Sequence, residues 1–252
     1  MPRPSDSPQT CNLAQPVAIQ LNNQRLTCRG DLNAVKQQFS RNHTLRLPQL
    51  LHPDLIHIIS GYLERGAWLP NHKEGIGREL LLASASAIFV LRFLINTPEF
   101  LKTVERITQC GPVSVFDGRV YRMVSGTDHY NSWHSDVYDN RLVGMSLNLG
   151  PRPYRGGVFQ LRKKGSDQIL CELPNVVQGD AILFRISPEL RHRMTPMEGT
   201  EPKTAFAGWF KSGTSDFFSD LRNAATHAVI QDSRYGSGAG MRDGFALMQQ
   251  KR

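Results

Sequence analysis

The sequence predicts an α+β fold, in which a mostly helical N-terminal half covers a β-rich C-terminal half. Between residues 52 and 111, apolar residues recur at the three- and four-residue spacing of amphipathic helices. After residue 111 the pattern changes to short apolar or alternating segments, each bounded by Gly, Pro, Asp or Asn. Many short strands at regular spacing are typical of a β-sandwich or barrel.

Three helices are predicted in the support region. The first begins at Pro53, a residue that suits the first helical turn, and ends at Gly66. The second covers residues 78–95. The third has Thr97 as its N-cap and ends near Gly111. Before these helices, a short strand at 17–21 and a short helix at 32–40 are expected.

The C-terminal half begins with a predicted hairpin, because two strand-like segments flank Asp117-Gly118, a strong turn signal. Further strands are expected at residues 142–149, 157–161, 169–173, 181–186 and 204–210.

The chain is interpreted as one domain with four segments. These are a flexible arm at 1–16, a mostly helical support region at 17–111, a β-rich core at 112–212, and a C-terminal helix with a Gly-rich tail at 213–252.

Composition restricts the partners. A net charge of +8 permits anionic partners, but the only basic run, at 162–164, is interpreted as a solvated turn. Nucleic acid is disfavoured, because it would require a longer basic stripe with aromatic residues interleaved. The most apolar stretch, 80–95, is short for a membrane span and contains Arg92. Four widely spaced cysteines and a polar N-terminus indicate the cytoplasm.

The first chemical motif is Trp133-His134-Ser135-Asp136. On a strand, residues two apart point to the same face, so His134 and Asp136 would project together. An imidazole and a carboxylate are two of the three ligands of the facial triad that holds Fe(II). A histidine–x–aspartate tripeptide alone is a weak signal.

Two further elements follow in order. His192 comes after a Gly-Asp turn and an apolar strand, and Lys203 begins the run 203–210. Strand alternation places Lys203 and Trp209 on one face, with two alanines between them. A cation followed by small residues and an indole suits a pocket for a carboxylate, because a buried lysine needs a partner.

Together these ordered motifs resemble the 2-oxoglutarate/Fe(II) oxygenase superfamily, and within it the prolyl-4-hydroxylase-like branch. The likeness covers about residues 113–210. It implies a double-stranded β-helix (jelly-roll, cupin-like) core, with Fe(II) held by His134, Asp136 and His192. It also implies that Lys203 pairs with the distal carboxylate of 2-oxoglutarate, and that O2 is the co-substrate, with succinate and CO2 as co-products.

Pocket residues are harder to assign. Tyr130 and Trp209 are predicted to contact the cofactor. The substrate candidates are Tyr121, Met123, Trp133 and Tyr138. The resemblance implies hydroxylation of an unactivated C–H bond, because Asp136 retains the carboxylate that halogenases of the superfamily lack. The expected substrate is an amino acid, a peptide side chain or a small metabolite; the sequence leaves the oligomeric state open.

The sequence leaves three alternative functions open. One is a nucleic-acid demethylase of the same superfamily, although the Arg-x5-Arg set typical of that family is replaced here by Lys203. Another is a non-catalytic β-helix domain that binds a metal or a sugar. The third is a zinc hydrolase with two histidines and an aspartate. No HExxH helix supports this last interpretation.

Overall fold

The computed structural model describes residues 17–22, 26–213, 217–219 and 221. Two compact units are distinguished, residues 1–214 and residues 215–252, and all the elements below belong to the first. In the second unit, residues 217–219 and 221 are helical. The predicted arm at 1–16 and the rest of the predicted C-terminal helix and Gly-rich tail lie outside the described residues.

Four helices are present in the described part of the first unit: α1 (Leu32–Asn42), α2 (Pro53–Arg65), α3 (Ala85–Ile95) and α4 (Pro98–Thr108). The strands are β1 (Val17–Leu21), β2 (Leu26–Gly30), β3 (Thr44–Leu47), β4 (Trp68–Lys73), β5 (Gly77–Leu82), β6 (Val115–Met123), β7 (Tyr130–Asn131), β8 (Arg141–Asn148), β9 (Arg155–Gly156), β10 (Phe159–Lys163), β11 (Ile169–Leu173), β12 (Ala181–Arg185), β13 (Leu190–Met194), β14 (Met197–Glu198) and β15 (Lys203–Lys211).

Two antiparallel sheets form the core. The larger has the order β3-β12-β8-β15-β6-β5-β4, with β7 paired to β5, and the smaller has the order β11-β10-β13. Their facing sides meet where Phe159 of β10 packs against Phe184 of β12, with ring centroids 4.8 Å apart. This arrangement is the double-stranded β-helix that the resemblance implied.

The helices cover the outer face of the larger sheet. Alternation along β15 directs Phe206 and Phe210 into a core shared with α1 to α4, while Ala205 and Ala207 face the opposite side. Helix α4 contributes the buried Phe100, whose ring centroid lies 6.1 Å from that of Phe210. The sheet is therefore supported on one face and lined by small residues on the other, which leaves space for a site.

The helix predictions held for α1, α2 and α4, including Pro53 and Pro98 at the helix starts. The helix predicted at 78–95 was wrong in its first part, where β5 pairs with β4 on one side and β6 on the other before α3 begins. Because β1 to β5 also lie in this region, the support segment is mixed rather than mostly helical.

The predicted hairpin at Asp117-Gly118 was also wrong, since both residues lie inside the continuous strand β6. That strand pairs along nine residues with β15, and Gly118 lies opposite Gly208. A Cβ on Gly118 would come within 2.6 Å of the Phe116 ring and 3.0 Å of the Ala207 carbonyl oxygen. This glycine permits close strand packing, and pairing with a distant strand overrides the local turn preference.

None of the helices in the described ranges is long and apolar enough to cross a membrane. In the described part of the chain, Cys28 and Cys110 have free thiols.

Candidate active site

The two histidines and the aspartate that the sequence singled out are brought together between the two sheets. One donor atom from each of His134, Asp136 and His192 lies within 4.8 Å of the others. His192 belongs to β13, and His134 joins it through a single antiparallel bridge with backbone N–H···O distances of 3.1 and 3.0 Å. The predicted strand at 133–136 is thus reduced to one bridge, but that bridge suffices to orient the motif.

Hydrogen bonding selects the form of His134 that can bind a metal. Its Nδ1 lies 2.7 Å from the carbonyl oxygen of Ser132. A carbonyl can only accept, so Nδ1 carries the proton and Nε2 keeps its lone pair. Burial lowers the pKa of His134, and the neighbouring His192 lowers it further. Both effects favour the neutral imidazole that ligation requires.

The carboxylate of Asp136 is oriented by the indole of Trp209 and lies beside His192. Its Oδ2 accepts a 2.7 Å hydrogen bond from Nε1 of Trp209 and lies 3.3 Å from Nε2 of His192. Burial alone would raise the pKa of Asp136, but the interactions with His192 and Trp209 outweigh it and hold the pKa below its usual range. Asp136 therefore remains an anion.

Two imidazole nitrogens and one carboxylate are the donor set of the facial triad, which selects Fe(II) and leaves coordination positions open. The three side chains are largely but not fully buried, with 11–14% of their side-chain surface exposed. They line a common cavity of about 300 Å³. The residues present are therefore suited to bind iron.

Lys203 is fully buried at the start of β15. Its Nζ donates a 2.8 Å hydrogen bond to the carbonyl oxygen of Gly157 and lies 3.9 Å from Sδ of Met194. Among the residues that the structure describes, no carboxylate lies within 4.0 Å of this ammonium. Burial lowers its pKa to about 7. A buried cation without a counter-ion fits the carboxylate of a bound oxoacid.

Two methionines lie between the cavity residues and Lys203 in the contacts that the structure records. Met123 lies directly opposite Lys203 in the pairing of β6 with β15, and Met194 contacts the ammonium. Both methionines line the cavity and lie next to Lys203, which does not itself line it. Unbranched methionine side chains repack easily, which would allow a ligand to reach the lysine.

The structure brings only some of the other predicted residues to the cavity. Tyr121, Met123, Tyr138 and Trp209 line it. Burial raises the pKa of Tyr121, and the charge of Glu79 adds to this, so its phenol stays protonated and able to donate.

Tyr130 and Trp133 are not among the lining residues. Tyr130 is 37% exposed in β7, a two-residue strand that pairs with β5. Trp133 is covered by the guanidinium groups of Arg162 and Arg193, which lie 4.2 and 4.6 Å from its ring centroid. Neither side chain is placed to contact a ligand in this cavity.

Sequence reasoning missed a group of charged residues at the cavity. Lys73 and Glu79 come from the β4–β5 hairpin, Arg119 from β6 and Arg141 from the start of β8. No local motif marks these residues. The hairpin precedes His134 by some sixty positions and reaches the cavity through the long-range pairing of β5 with β6 and β7.

Comparison with known proteins agrees with this geometry. Residues 118–211 match the family model described as "2OG-Fe(II) oxygenase superfamily". That region begins in β6, ends with β15, and contains His134, Asp136, His192 and Lys203. A search of curated protein sequences found no match.

Several solved structures share the fold at low sequence identity. An oxidoreductase of the 2OG-Fe(II) oxygenase family from Burkholderia pseudomallei is 13% identical with a TM-score of 0.56, and the match covers 80% of this chain and 98% of that one. A Pseudomonas putida prolyl-4-hydroxylase is 18% identical with a TM-score of 0.54, covering 73% and 100%. SnoN, an α-ketoglutarate-dependent epimerase from nogalamycin biosynthesis, is 14% identical with a TM-score of 0.56, covering 84% and 93%.

The likeness to these structures concerns the fold, whereas the matched family model adds the chemistry. The ligand set, the buried lysine and the family match at 118–211 agree on one cofactor pair, Fe(II) and 2-oxoglutarate. Residues 118–211 match the 2OG-Fe(II) oxygenase superfamily and carry its ligand set, which identifies a dioxygenase, and the fold is similar to that of a prolyl-4-hydroxylase.

Proposed function

We propose that the protein hydroxylates an unactivated C–H bond of an amino acid or peptide side chain, with 2-oxoglutarate converted to succinate and CO2. The observation that carries this proposal is the arrangement of His134, Asp136 and His192 around one cavity, with the unpaired ammonium of Lys203 behind its wall. The first three residues would hold Fe(II), and Lys203 would pair with the distal carboxylate of 2-oxoglutarate.

When bound, Fe(II) and 2-oxoglutarate supply the oxidising chemistry, and the protein supplies orientation, charge and a shielded pocket. Trp209 holds the carboxylate of Asp136 in its ligating orientation, and Ser132 fixes the tautomer of His134. Phe184 packs 4.6 Å from the His192 ring and makes that side of the site apolar. These contacts keep the ligands in place and restrict water.

A cavity of about 300 Å³ lies at the small end of ligand sites in proteins. A single side chain or a small molecule fits such a volume together with 2-oxoglutarate. Of the structurally similar proteins, the prolyl-4-hydroxylase supports a hydroxylation, whereas the epimerase shows that the same fold also serves another reaction.

The first test is anaerobic addition of Fe(II) and then 2-oxoglutarate to the full chain, followed by visible absorption. We expect the weak band that 2-oxoglutarate produces on binding Fe(II), and we expect Asp136→Ala to lose it while the circular dichroism spectrum stays unchanged. A band that persists in Asp136→Ala would remove Asp136 from the ligand set.

Product analysis tests the reaction itself. In air, succinate formation should rise when an amino acid or peptide substrate is present, and the substrate should gain the mass of one oxygen atom. A substrate that instead loses two hydrogens, or keeps its mass and changes configuration, would replace hydroxylation by desaturation or epimerisation.

A further inference from the structure

Three cationic side chains surround one indole at the cavity, and we call them the cationic rim: Lys73, Arg119 and Arg141. Measured to the ring centroid of Trp209, the charged groups lie at 5.8 Å for Lys73, 5.6 Å for Arg119 and 3.5 Å for Arg141. All four residues line the cavity that contains the metal ligands. The rim is thus a positively charged wall beside the proposed iron site.

Arg141 has hydrogen-bonding capacity that its surroundings do not use. Only 18% of its side-chain surface is exposed, and its Nε is buried without a partner in the described part of the chain. Its nearest carboxylate is Asp136, with Nη1 3.8 Å from Oδ1, which is too long for a hydrogen bond. A guanidinium carries five donors, and leaving them unpaired inside a protein is costly.

Lys73 and Arg119 differ in whether a nearby carboxylate neutralises their positive charge. Arg119 donates two hydrogen bonds to Glu79, at 2.9 and 2.8 Å, and is neutralised by it. For Lys73, the described residues place no carboxylate within 4.0 Å of its ammonium. Partial burial and the charge of Arg119 lower the pKa of Lys73, and the charges of Glu79 and Asp136 offset this only in part. Lys73 and Arg141 therefore contribute the unbalanced charge of the rim.

The cofactors would not remove this surplus. Fe(II) carries more charge than the single carboxylate of Asp136 can neutralise, and the 2-oxoglutarate dianion would be balanced by the metal and by Lys203. With both bound, the positive charges of Lys73 and Arg141 would still lack a counter-ion. Arg141 is largely buried and Lys73 is exposed, so the attraction for an anionic group is stronger than in water mainly at Arg141.

We propose that Lys73 and Arg141 bind the carboxylate of a small-molecule substrate, such as a free amino acid. This inference rests on the proposed function and names its substrate class. Arg141 is 3.8 Å from a metal ligand, so a carboxylate held there keeps the neighbouring carbon atoms close to the iron. The volume of about 300 Å³ favours a free acid over a long acidic peptide.

The test measures binding without turnover. The full chain, loaded with Mn(II) and 2-oxoglutarate under anaerobic conditions, is titrated by calorimetry with the free L-amino acids and with their carboxamides. The two members of each pair, such as leucine and leucinamide, differ in that only the acid carries a negatively charged carboxylate. At least one acid should bind ten or more times more tightly than its amide, since charge-assisted hydrogen bonds distinguish them. If no acid binds more tightly than its amide, the proposal fails.

Variants locate the binding group. Lys73→Met and Arg141→Met should each weaken binding of the preferred acid about tenfold or more and leave binding of its amide unchanged. Lys102→Met removes an exposed lysine of α4, and it should behave as wild type. Because Lys73 is also exposed, Lys73→Met should fold normally, and wild-type affinity in that variant would overturn the assignment.

Other outcomes separate this inference from the proposed function. If Lys73→Met weakens 2-oxoglutarate binding in the absence of substrate, the rim belongs to the cosubstrate and the inference is wrong, although the oxygenase function stands. If acidic peptides bind and free acids do not, the small-molecule class is wrong. If rim-dependent binding of an acid is observed but no oxidised product forms in air, the inference holds and the proposed hydroxylation fails.

Discussion

The indole Nε1 of Trp209 donates a 2.7 Å hydrogen bond to Oδ2 of Asp136, the same oxygen that lies 3.3 Å from Nε2 of His192. This bond links β15, a central strand of the larger sheet, to the irregular segment that follows His134. Because Asp136 lies outside any regular strand, a side-chain contact rather than the backbone ladder holds its carboxylate in place. Groups that orient metal ligands in this way influence metal affinity.

Replacing Trp209 by phenylalanine removes the Nε1–H donor and keeps an aromatic ring, so it should weaken metal binding with little change in packing. We expect a loss of about 10- to 100-fold in affinity for Fe(II) or Mn(II), measured by competition with a chromogenic chelator. Trp68→Phe is the matched control, because Trp68 packs against Arg122 away from the cavity. Equal metal affinity in the two variants would show that Asp136 is oriented without the indole.

Lys203→Met should mainly affect the cosubstrate. One lost charge-assisted contact corresponds to about 1.5–3 kcal/mol, or roughly 10- to 150-fold in 2-oxoglutarate affinity, with metal affinity unchanged. Lys211→Met removes a second lysine of the same strand whose ammonium pairs with Asp139 at 2.6 Å, and it should leave both affinities intact. Unaltered 2-oxoglutarate binding in Lys203→Met would redirect the search to the cationic rim.

The buried lysine also predicts how stability depends on pH without cosubstrate. Burial lowers the pKa of Lys203 to about 7, whereas an unfolded lysine has a pKa of about 10.4. Between these values the unfolded chain binds more protons, so the free energy of unfolding should rise with pH, by at most about 1.4 kcal/mol per pH unit from this group.

The comparison of wild type with Lys203→Met isolates that contribution. Denaturant unfolding between pH 7 and 9.5 should give a steeper rise for the wild type, and the variant should be the more stable of the two near pH 7. Parallel pH profiles would mean that Lys203 already has a counter-ion in the folded protein.

The sequence was sufficient to predict which two histidines and which aspartate come together, but it did not predict the charged residues beside them. His134 and Asp136 are two residues apart, and the order of His192 and Lys203 along the chain is characteristic of a family. Lys73, by contrast, comes from a hairpin that contributes to the cavity because β5 pairs with β6 and β7, long-range contacts with no local signature.

The same limit explains the error at Asp117-Gly118. Local preference favours a two-residue turn there, but the pairing of β6 with β15 places Gly118 opposite Gly208 in mid-strand. The sequence shows a glycine at position 118 but not its role. The tertiary structure decides whether that glycine forms a turn or allows two backbones to pack closely.

The glycine pair offers a direct test of that packing. A Cβ at Gly208 would lie 2.0 Å from the carbonyl oxygen of Asp117 and 2.4 Å from Cα of Gly118, and backbone atoms cannot move aside as a flexible side chain can. Gly208→Ala should lower the free energy of unfolding by about 1–3 kcal/mol or more, measured by denaturant titration. Because Trp209 is the next residue, metal affinity should fall as well.

Gly61→Ala is the control for this substitution. Gly61 lies inside α2, where an added Cβ would meet only the end of the Arg65 side chain at 3.4 Å. Alanine in a helix interior is favoured over glycine by about 0.5–1 kcal/mol, so this variant should be as stable as the wild type or more so. If Gly208→Ala were equally well tolerated, β6 and β15 would have more room between them than the structure shows. The position of Trp209 beside Asp136 would then not depend on the close approach of the two strands.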